Sequence, residues 1–124
     1  QHLLSKRIFN LGGGESCRTS YKEFLERSFT IFGLGQVNFP KNSFAQKNFH
    51  CGYYADGDEL EQIVHFRQDN LEDYFKMEEA KIARSRKIVT SILRGPIKWF
   101  LHKKSEPYQA FKDQNLVQMK HYFN

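Results

Sequence analysis

Two histidines and two cysteines are the residues of this chain best suited to metal chemistry. His50 and Cys51 are adjacent, and Cys17 or His65 could complete a zinc site with them. Zinc sites usually supply their ligands in pairs at short spacing, whereas this chain offers one adjacent pair and no C-x-x-C motif. We therefore expect no metal site. The cysteines could form a disulfide in an oxidising compartment, but two thiols are the simpler interpretation.

Acidic residues in the middle of the chain suggest two further kinds of site. The segment 56–58 (DGD) is similar to the start of a calcium loop, but Leu60 stands where the third oxygen ligand is required. Glu61 and His65 are four residues apart, which suits a surface ion pair, and Gln62 occupies the place of the Glu in a di-metal Glu-x-x-His motif. Because no nucleophile, base and orienting acid can be combined, we expect no enzymatic activity, no cofactor and no small-molecule substrate.

The largest predicted element is an amphipathic helix over about residues 58–93. Asp58 and Glu61 form a capping box at its start, and Gly95-Pro96 follows its end. A second capping pair inside it, Asp69 with Glu72, would break the helix near residue 69. We favour a continuous helix, because the apolar pattern passes Asp69 without a change of phase. Its apolar stripe consists of Leu60, Val64, Leu71, Tyr74, Ile82, Val89 and Ile92.

This predicted helix is longer than a chain of 124 residues needs for its own core. About 35 helical residues extend roughly 50 Å, whereas a compact domain of this size has a radius of gyration of about 14 Å. The section 76–87 carries only a narrow line of apolar residues between charged ones. Such a narrow stripe favours contact with one neighbouring protein rather than burial in a broad core.

The remaining elements make the chain all-α. Ser20 with Glu23 begins a helix over about residues 21–32, which Gly33 ends. Shorter helices are predicted over about residues 97–103 and 107–122. We expect residues 1–19 to form a flexible basic tail and residues 20–124 to form a single elongated helical domain.

An irregular arm is predicted over about residues 34–55. Phe39, Phe44 and Phe49 follow one another at five-residue steps, which match neither a helix face nor a strand face. We expect these rings to anchor the arm on the chain's own helices or on neighbouring chains. A second interpretation is binding of single-stranded RNA, because aromatic rings alternating with cations can stack on bases and neutralise phosphates.

Trp99 and Phe100 precede a basic cluster, His102 to Lys104. Aromatic rings beside cations suit a membrane interface, where the rings lie at headgroup depth and the cations meet anionic lipids. A turn of helix that docks Trp99 into a core explains the same pattern. The longest uncharged stretch has 13 residues, over residues 28–40, and a transmembrane helix needs about 20. No membrane-spanning segment is therefore expected.

The N-terminal residues carry Lys6 and Arg7 and no acid before Glu15. Basic, serine-containing and acid-poor composition is typical of mitochondrial targeting segments. A plain docking or disordered tail is the alternative. The localisation expected from this segment is mitochondrial.

Together these patterns predict a non-catalytic structural subunit. We expect it to bind other protein subunits of a large assembly, such as a membrane-associated complex of the respiratory-chain or ATP-synthase type, with peripheral contact to lipid. A net charge of +5 permits anionic partners. The alternative is an RNA-bound protein of the mitoribosomal type, in which the basic segment 81–87 lies on phosphate.

Overall fold

A computed structural model describes residues 4–47 and 54–123 of the chain, and these residues form an all-α fold. They contain seven α-helices, one 3₁₀ turn at Glu15–Cys17 and no strand, which confirms the predicted fold class. The helices are α1 (Tyr21–Phe32), α2 (Glu59–Val64), α3 (Leu71–Lys81), α4 (Arg84–Ile92), α5 (Arg94–Lys103), α6 (Glu106–Lys112) and α7 (Leu116–Tyr122).

Helix α1 begins and ends where the sequence predicts. The Glu23 backbone N–H donates to the Ser20 hydroxyl, and the Glu23 carboxylate accepts from the Ser20 backbone N–H, so the capping box is complete. These bonds hold the pKa of Glu23 below its ordinary value. Gly33 ends the helix with φ at 80°, a left-handed conformation that glycine adopts without a steric penalty.

The segment 58–93 forms three separate helices, so the prediction of one continuous helix is wrong. The first break covers residues 65–70, close to the alternative break near Asp69. His65 has φ at 47°, and Asn70 and Asp73 form the capping box that starts α3. The second break lies at Ile82 and Ala83, whose backbones are extended.

Packing against α1 explains the second break. Helix α1 contacts both α3 and α4. With 12 residues, α1 is about 18 Å long, and a straight helix through α3 and α4 would exceed 30 Å. The extended residues between α3 and α4 allow both helices to lie against one short partner. Local amphipathic phase could not show this, because the break is imposed by a contact distant in sequence.

Two C-terminal predictions are also corrected. Helix α5 begins at Arg94 rather than near residue 97, because Pro96 lies in its first turn, where no backbone N–H is required. The predicted helix over residues 107–122 is divided into α6 and α7. Gln114 adopts φ at 51°, and Asn115 caps α7 by accepting a hydrogen bond from the Gln118 backbone N–H.

A small core joins α6 and α7 to the arm. Ala110, Tyr122 and Phe123 are buried together, and Ala45 of the arm packs against them. The Tyr122 hydroxyl donates to the Glu106 carboxylate at 2.9 Å, which together with burial raises the pKa of Tyr122. Residues 34–47 contain no helix or strand, as predicted.

The N-terminal residues that the structure describes lie against the segment before α3. Arg7 forms an ion pair with Glu59 at 2.7 Å, and the Asn10 amide donates to Asp56. The Arg67 guanidinium donates to the Gly12 carbonyl at 2.7 Å and to Asp58. These contacts connect residues 7–12 to residues 56–67.

Candidate interaction surface

The phenylalanines of the arm pack inside the molecule. The Phe39 ring contacts Phe29 of α1 edge to face, with centroids 5.9 Å apart, and lies 6.1 Å from the Phe44 ring. Phe44 in turn lies 6.1 Å from Tyr21. Phe39 and Phe44 therefore anchor the arm on the chain's own helices, one of the two predicted roles. Phe49 lies outside the described residues.

Three candidates from α3 and its end also contribute to internal packing. Tyr74 is partly exposed but stacks on Phe24 of α1, with centroids 5.8 Å apart. Leu71 and Ile82 are half-buried. Tyr74 thus takes part in the contact between α1 and α3, and the half-burial of Leu71 and Ile82 keeps them from forming an open surface.

Helix α4 points its apolar face away from the molecule. Ile88, Val89 and Ile92 are exposed, and Ile92 has 74% of its surface accessible. The half-buried residues of this helix are instead Lys87 and Thr90. A Cβ on Gly33 would lie 2.8 Å from the Lys87 carbonyl oxygen, which shows how closely the end of α1 approaches this polar side. The apolar face of α4 is thus exposed, and its polar side faces the molecule.

Helix α5 shows the same arrangement. Its inner side carries Lys98, whose ammonium donates to the Gln36 carbonyl at 2.5 Å, and His102, whose ring lies between Phe39 and Tyr108. Trp99 and Phe100 lie on the outside, with 64% and 54% of their surfaces accessible. Trp99 therefore does not dock into the described core.

The exposed residues of α4 and α5 form neighbouring parts of one surface. The Leu93 N–H donates to Val89 and the Leu93 carbonyl accepts from Ile97, so helical hydrogen bonds continue on both sides of the joint. Leu93, with φ at −87° and ψ at 8°, is the residue at which α4 ends and α5 begins, and exposed apolar residues occur in both helices on either side of it. We call this set the α4–α5 surface: Ile88, Val89, Ile92, Leu93, Trp99 and Phe100.

Charge is strongly segregated around the α4–α5 surface. Residues 81–105 contain eight Lys or Arg and no Asp or Glu, a net charge of +8. The remaining 99 residues contain eleven basic and fourteen acidic residues, a net charge of −3. The overall charge of +5 therefore conceals one basic segment on a slightly acidic molecule.

Most cations of this segment lack acidic partners. Lys81 and Lys87 each lie 3.5 Å from a glutamate of α3. Within the described residues, the others form no ion pair: Arg84, Arg86, Arg94, Lys98, Lys103 and Lys104. Their positive charge is available to an anionic partner.

Two of these cations lie over the exposed aromatic rings. The Lys103 ammonium is 5.0 Å from the centre of the Trp99 ring, and the Lys104 ammonium is 5.7 Å from the centre of the Phe100 ring. Both distances fall within the range of cation–π attraction. Apolar rings and positive charges are therefore presented together on the outside of α5.

A second exposed apolar pair begins helix α7. Leu116 and Val117 have 78% and 82% of their surfaces accessible, and we call them the α7 pair. Asn115 immediately before them caps the helix, so these two side chains occupy its first turn.

The candidate acidic residues are already engaged, whereas Cys17 is a free thiol and His65 is exposed. Asp56 and Asp58 accept from Asn10 and Arg67, and Glu61 accepts from the Arg67 backbone N–H. His50 and Cys51 fall in the undescribed segment. The part of the chain that the structure describes contains no group of three or more His, Cys, Asp or Glu side chains placed to hold a metal ion.

A shallow groove between α1 and α3 is lined by charged side chains that pair with each other. Arg27 of α1 forms a two-pronged ion pair with Glu72 of α3 and lies over the Phe75 ring at 4.1 Å. The hydrogen bond to Glu72 raises the pKa of Arg27, and the same bond lowers the pKa of Glu72. These groups join two helices.

Two features of the α4–α5 surface were missed by the sequence reasoning. Ile88 and Leu93 fall outside the stripe assigned to a continuous helix, because that stripe assumed the wrong boundaries. The run without acids from Lys81 to Ser105 is visible in the sequence and extends well beyond the basic segment 81–87. Counting acids as well as bases over the whole window would have found it.

No helix of the described residues combines the length and the apolar character that crossing a bilayer requires. Comparison with known proteins adds no relative. No family model, curated protein or solved structure matches this chain.

Proposed function

We propose that this chain is a non-catalytic structural subunit of a large multiprotein assembly. The observation that carries the proposal is the amount of surface left uncovered. The chain exposes 9923 Å², whereas a compact monomer of 14.7 kDa exposes about 6,900 Å². Exposed apolar side chains lie in several places, including the α4–α5 surface and the α7 pair.

A small internal core supports the same proposal. Among the described residues, seven hydrophobic side chains are buried, and α4 and α5 contribute none of them. Subunits of obligate assemblies often complete their cores at interfaces, which are more apolar than the rest of the surface. Protein partners that cover the α7 pair would supply the missing burial.

The proposed setting is a membrane-associated mitochondrial complex of the respiratory-chain or ATP-synthase type. The mitochondrial part rests on the basic, acid-poor composition of residues 1–14. The membrane part rests on Trp99 and Phe100 beside Lys103 and Lys104 at the outer side of α5.

The test is the native size of the full chain in cells. We expect the tagged chain to migrate in a large complex in detergent extracts, and to remain there at raised salt, because apolar contacts survive screening. The double substitution Leu116→Glu and Val117→Glu should release it from the complex. The matched control at the α4–α5 surface is Ile88→Glu with Ile92→Glu, which should leave the chain in the complex. A wild-type chain that migrates as a stable monomer in the extract would refute the proposal.

RNA binding is the second candidate, favoured by the acid-free segment 81–105. A protein that binds through phosphate contacts loses affinity steeply as salt rises. The discriminating measurement is therefore the affinity of the purified chain for a single-stranded RNA at low and at physiological salt. Absence of measurable affinity at low salt would exclude this candidate.

A further inference from the structure

We propose that the α4–α5 surface lies on the face of an anionic lipid membrane, with Trp99 and Phe100 at headgroup depth. The inference rests on the proposed function for its membrane setting, and it assigns the contact to one surface and one class of lipid. The α7 pair remains available to protein subunits.

The first step is that this surface needs an apolar partner outside the molecule. Ile88, Val89 and Ile92 are exposed although α4 is clearly amphipathic, and the polar side of the helix faces α1. A contiguous exposed apolar face on an amphipathic helix marks a site at which another component binds. Nothing in the described part of the chain does so.

The second step is that the partner must be anionic over a wide area. Of the eight cations within residues 81–105, Lys81 and Lys87 are paired with glutamates of α3 and Lys98 lies on the inner side. Five exposed cations without an acidic partner among the described residues remain: Arg84, Arg86, Arg94, Lys103 and Lys104. A protein partner would have to present a matching field of carboxylates around an apolar patch of the same outline. An anionic bilayer presents uniform negative charge directly above an apolar layer, so it satisfies both requirements without specific pairing.

The arrangement of rings and cations favours lipid over RNA. Bases bind by stacking on open aromatic faces, but Lys103 and Lys104 lie over the rings of Trp99 and Phe100. The rest of the surface consists of the aliphatic residues Ile88, Val89, Ile92 and Leu93, which offer no stacking platform. Aliphatic side chains beside tryptophan and lysine match the depth profile of a headgroup region instead.

Trp99 is the single tryptophan of the chain, so it reports on this surface alone. The experiment mixes the purified full chain with vesicles of phosphatidylcholine, with or without phosphatidylglycerol. We expect flotation with the anionic vesicles only, together with a shift of Trp99 emission to shorter wavelength. Flotation with neither vesicle, or equally with both, would overturn the proposal. So would retention of the chain in a pellet of aggregates when anionic vesicles are present.

Substitutions then locate the contact. Each cation near an anionic surface strengthens binding roughly fivefold, so Lys103→Glu with Lys104→Glu should weaken it by roughly 25-fold or more. Ile88→Ser with Ile92→Ser should weaken it by roughly 100-fold or more while the helix content stays unchanged. The matched control, Leu116→Glu with Val117→Glu, should bind vesicles within about twofold of wild type. Equal losses in all three variants would overturn the assignment to α4 and α5.

The same variants separate this inference from the proposed function. If the wild-type chain does not bind vesicles but migrates in a large complex, the membrane contact is refuted and the subunit proposal stands. If the chain binds anionic vesicles specifically but is monomeric in extracts, the subunit proposal is refuted and the membrane contact stands. Tight RNA binding at low salt without flotation would favour the RNA interpretation and refute the lipid contact.

Discussion

Helices α1 and α4 are both amphipathic and lie against each other, yet they direct their apolar faces in opposite directions. Helix α1 buries Phe29 and Ile31, and Phe29 is only 2% exposed. Helix α4 turns Ile88 and Ile92 outward and places Lys87 and Thr90 on its inner side. An amphipathic pattern shows that a helix has two unlike sides, but the tertiary contacts decide which side meets the chain's own core.

The two helices also differ in their electrostatics. Arg27 of α1 is paired with Glu72, and each group shifts the pKa of the other toward its charged form. The arginines of α4, Arg84 and Arg86, form no ion pair with any described residue. Arg27 of α1 joins two helices, whereas Arg84 and Arg86 of α4 are free to meet a partner.

The largest expected difference concerns apolar truncation. Phe29→Ala should lower the free energy of unfolding by about 3–5 kcal/mol, because it removes a buried ring and leaves a cavity. Ile92→Ala should change it by less than about 0.5 kcal/mol, because the side chain is already exposed. Urea unfolding followed by circular dichroism measures both values. Similar losses would show that the outer face of α4 is covered in the isolated chain.

A smaller effect is expected where α1 meets α4. Gly33→Ala places a Cβ 2.8 Å from the Lys87 carbonyl oxygen at a residue with φ at 80°, so both strain and a clash arise, together costing roughly 2–4 kcal/mol.

The matched control for this position is Gly35→Ala. Gly35 has φ at 71° but no atom within 4 Å of the added Cβ, so the substitution should cost about 1 kcal/mol from strain alone. Thermal unfolding of both variants gives the comparison. Equal costs would mean that the close approach of α1 to α4 does not matter for stability.

The beginnings of α3 and α4 should respond in opposite ways to a change of cap. Asn70→Ala removes the side chain that accepts from two backbone N–H groups of α3, at a cost of about 1 kcal/mol. Ala83 provides no such bond to α4, whose first turn contains Arg84 and Arg86 and no acid. Ala83→Asp should therefore stabilise the chain by about 0.5–1 kcal/mol. Denaturation midpoints would show the two changes with opposite sign.

The smallest effect is expected for the ion pair between α1 and α3. Because the hydrogen bond from Arg27 lowers the pKa of Glu72 below 4.5, the pair stabilises the folded chain above that pH and loses its effect as pH falls through the lowered pKa. Glu72→Gln should therefore reduce the fall in melting temperature between neutral and strongly acidic pH. Arg86→Gln should leave that fall unchanged. An unaltered acid profile for Glu72→Gln would show that the exposed pair contributes nothing measurable.

Local signals predicted much of the fold. Ser20, Glu23 and Gly33 define α1 because capping and left-handed termination depend on neighbouring residues. The irregular arm was predicted because its apolar residues follow neither a helix period nor a strand period. The break at Ile82 and Ala83 was not predicted, since it depends on the contact of α3 and α4 with α1. Gln114, where α6 and α7 separate, carries no glycine or proline signal either.

The predicted interaction residues fall into two groups in the structure. Val89, Ile92, Trp99 and Phe100 are exposed as interaction residues would be, whereas Phe39 and Phe44 belong to internal packing. Sequence reasoning treated all of these as anchors because an apolar side chain that packs internally and one that binds a partner have the same local pattern.

The sequence by itself determined the helical composition, the caps of α1 and the basic, acid-free segment 81–105, because each depends on residue type and short spacing. Only the tertiary structure decided that the long helix is divided and that α4 and α5 face outward. Those outcomes depend on which side of each helix reaches Phe29, Gly33 and Phe39, residues distant in sequence. Because Lys87, Lys98 and His102 make these inner contacts, Ile92 and Trp99 lie on the outside.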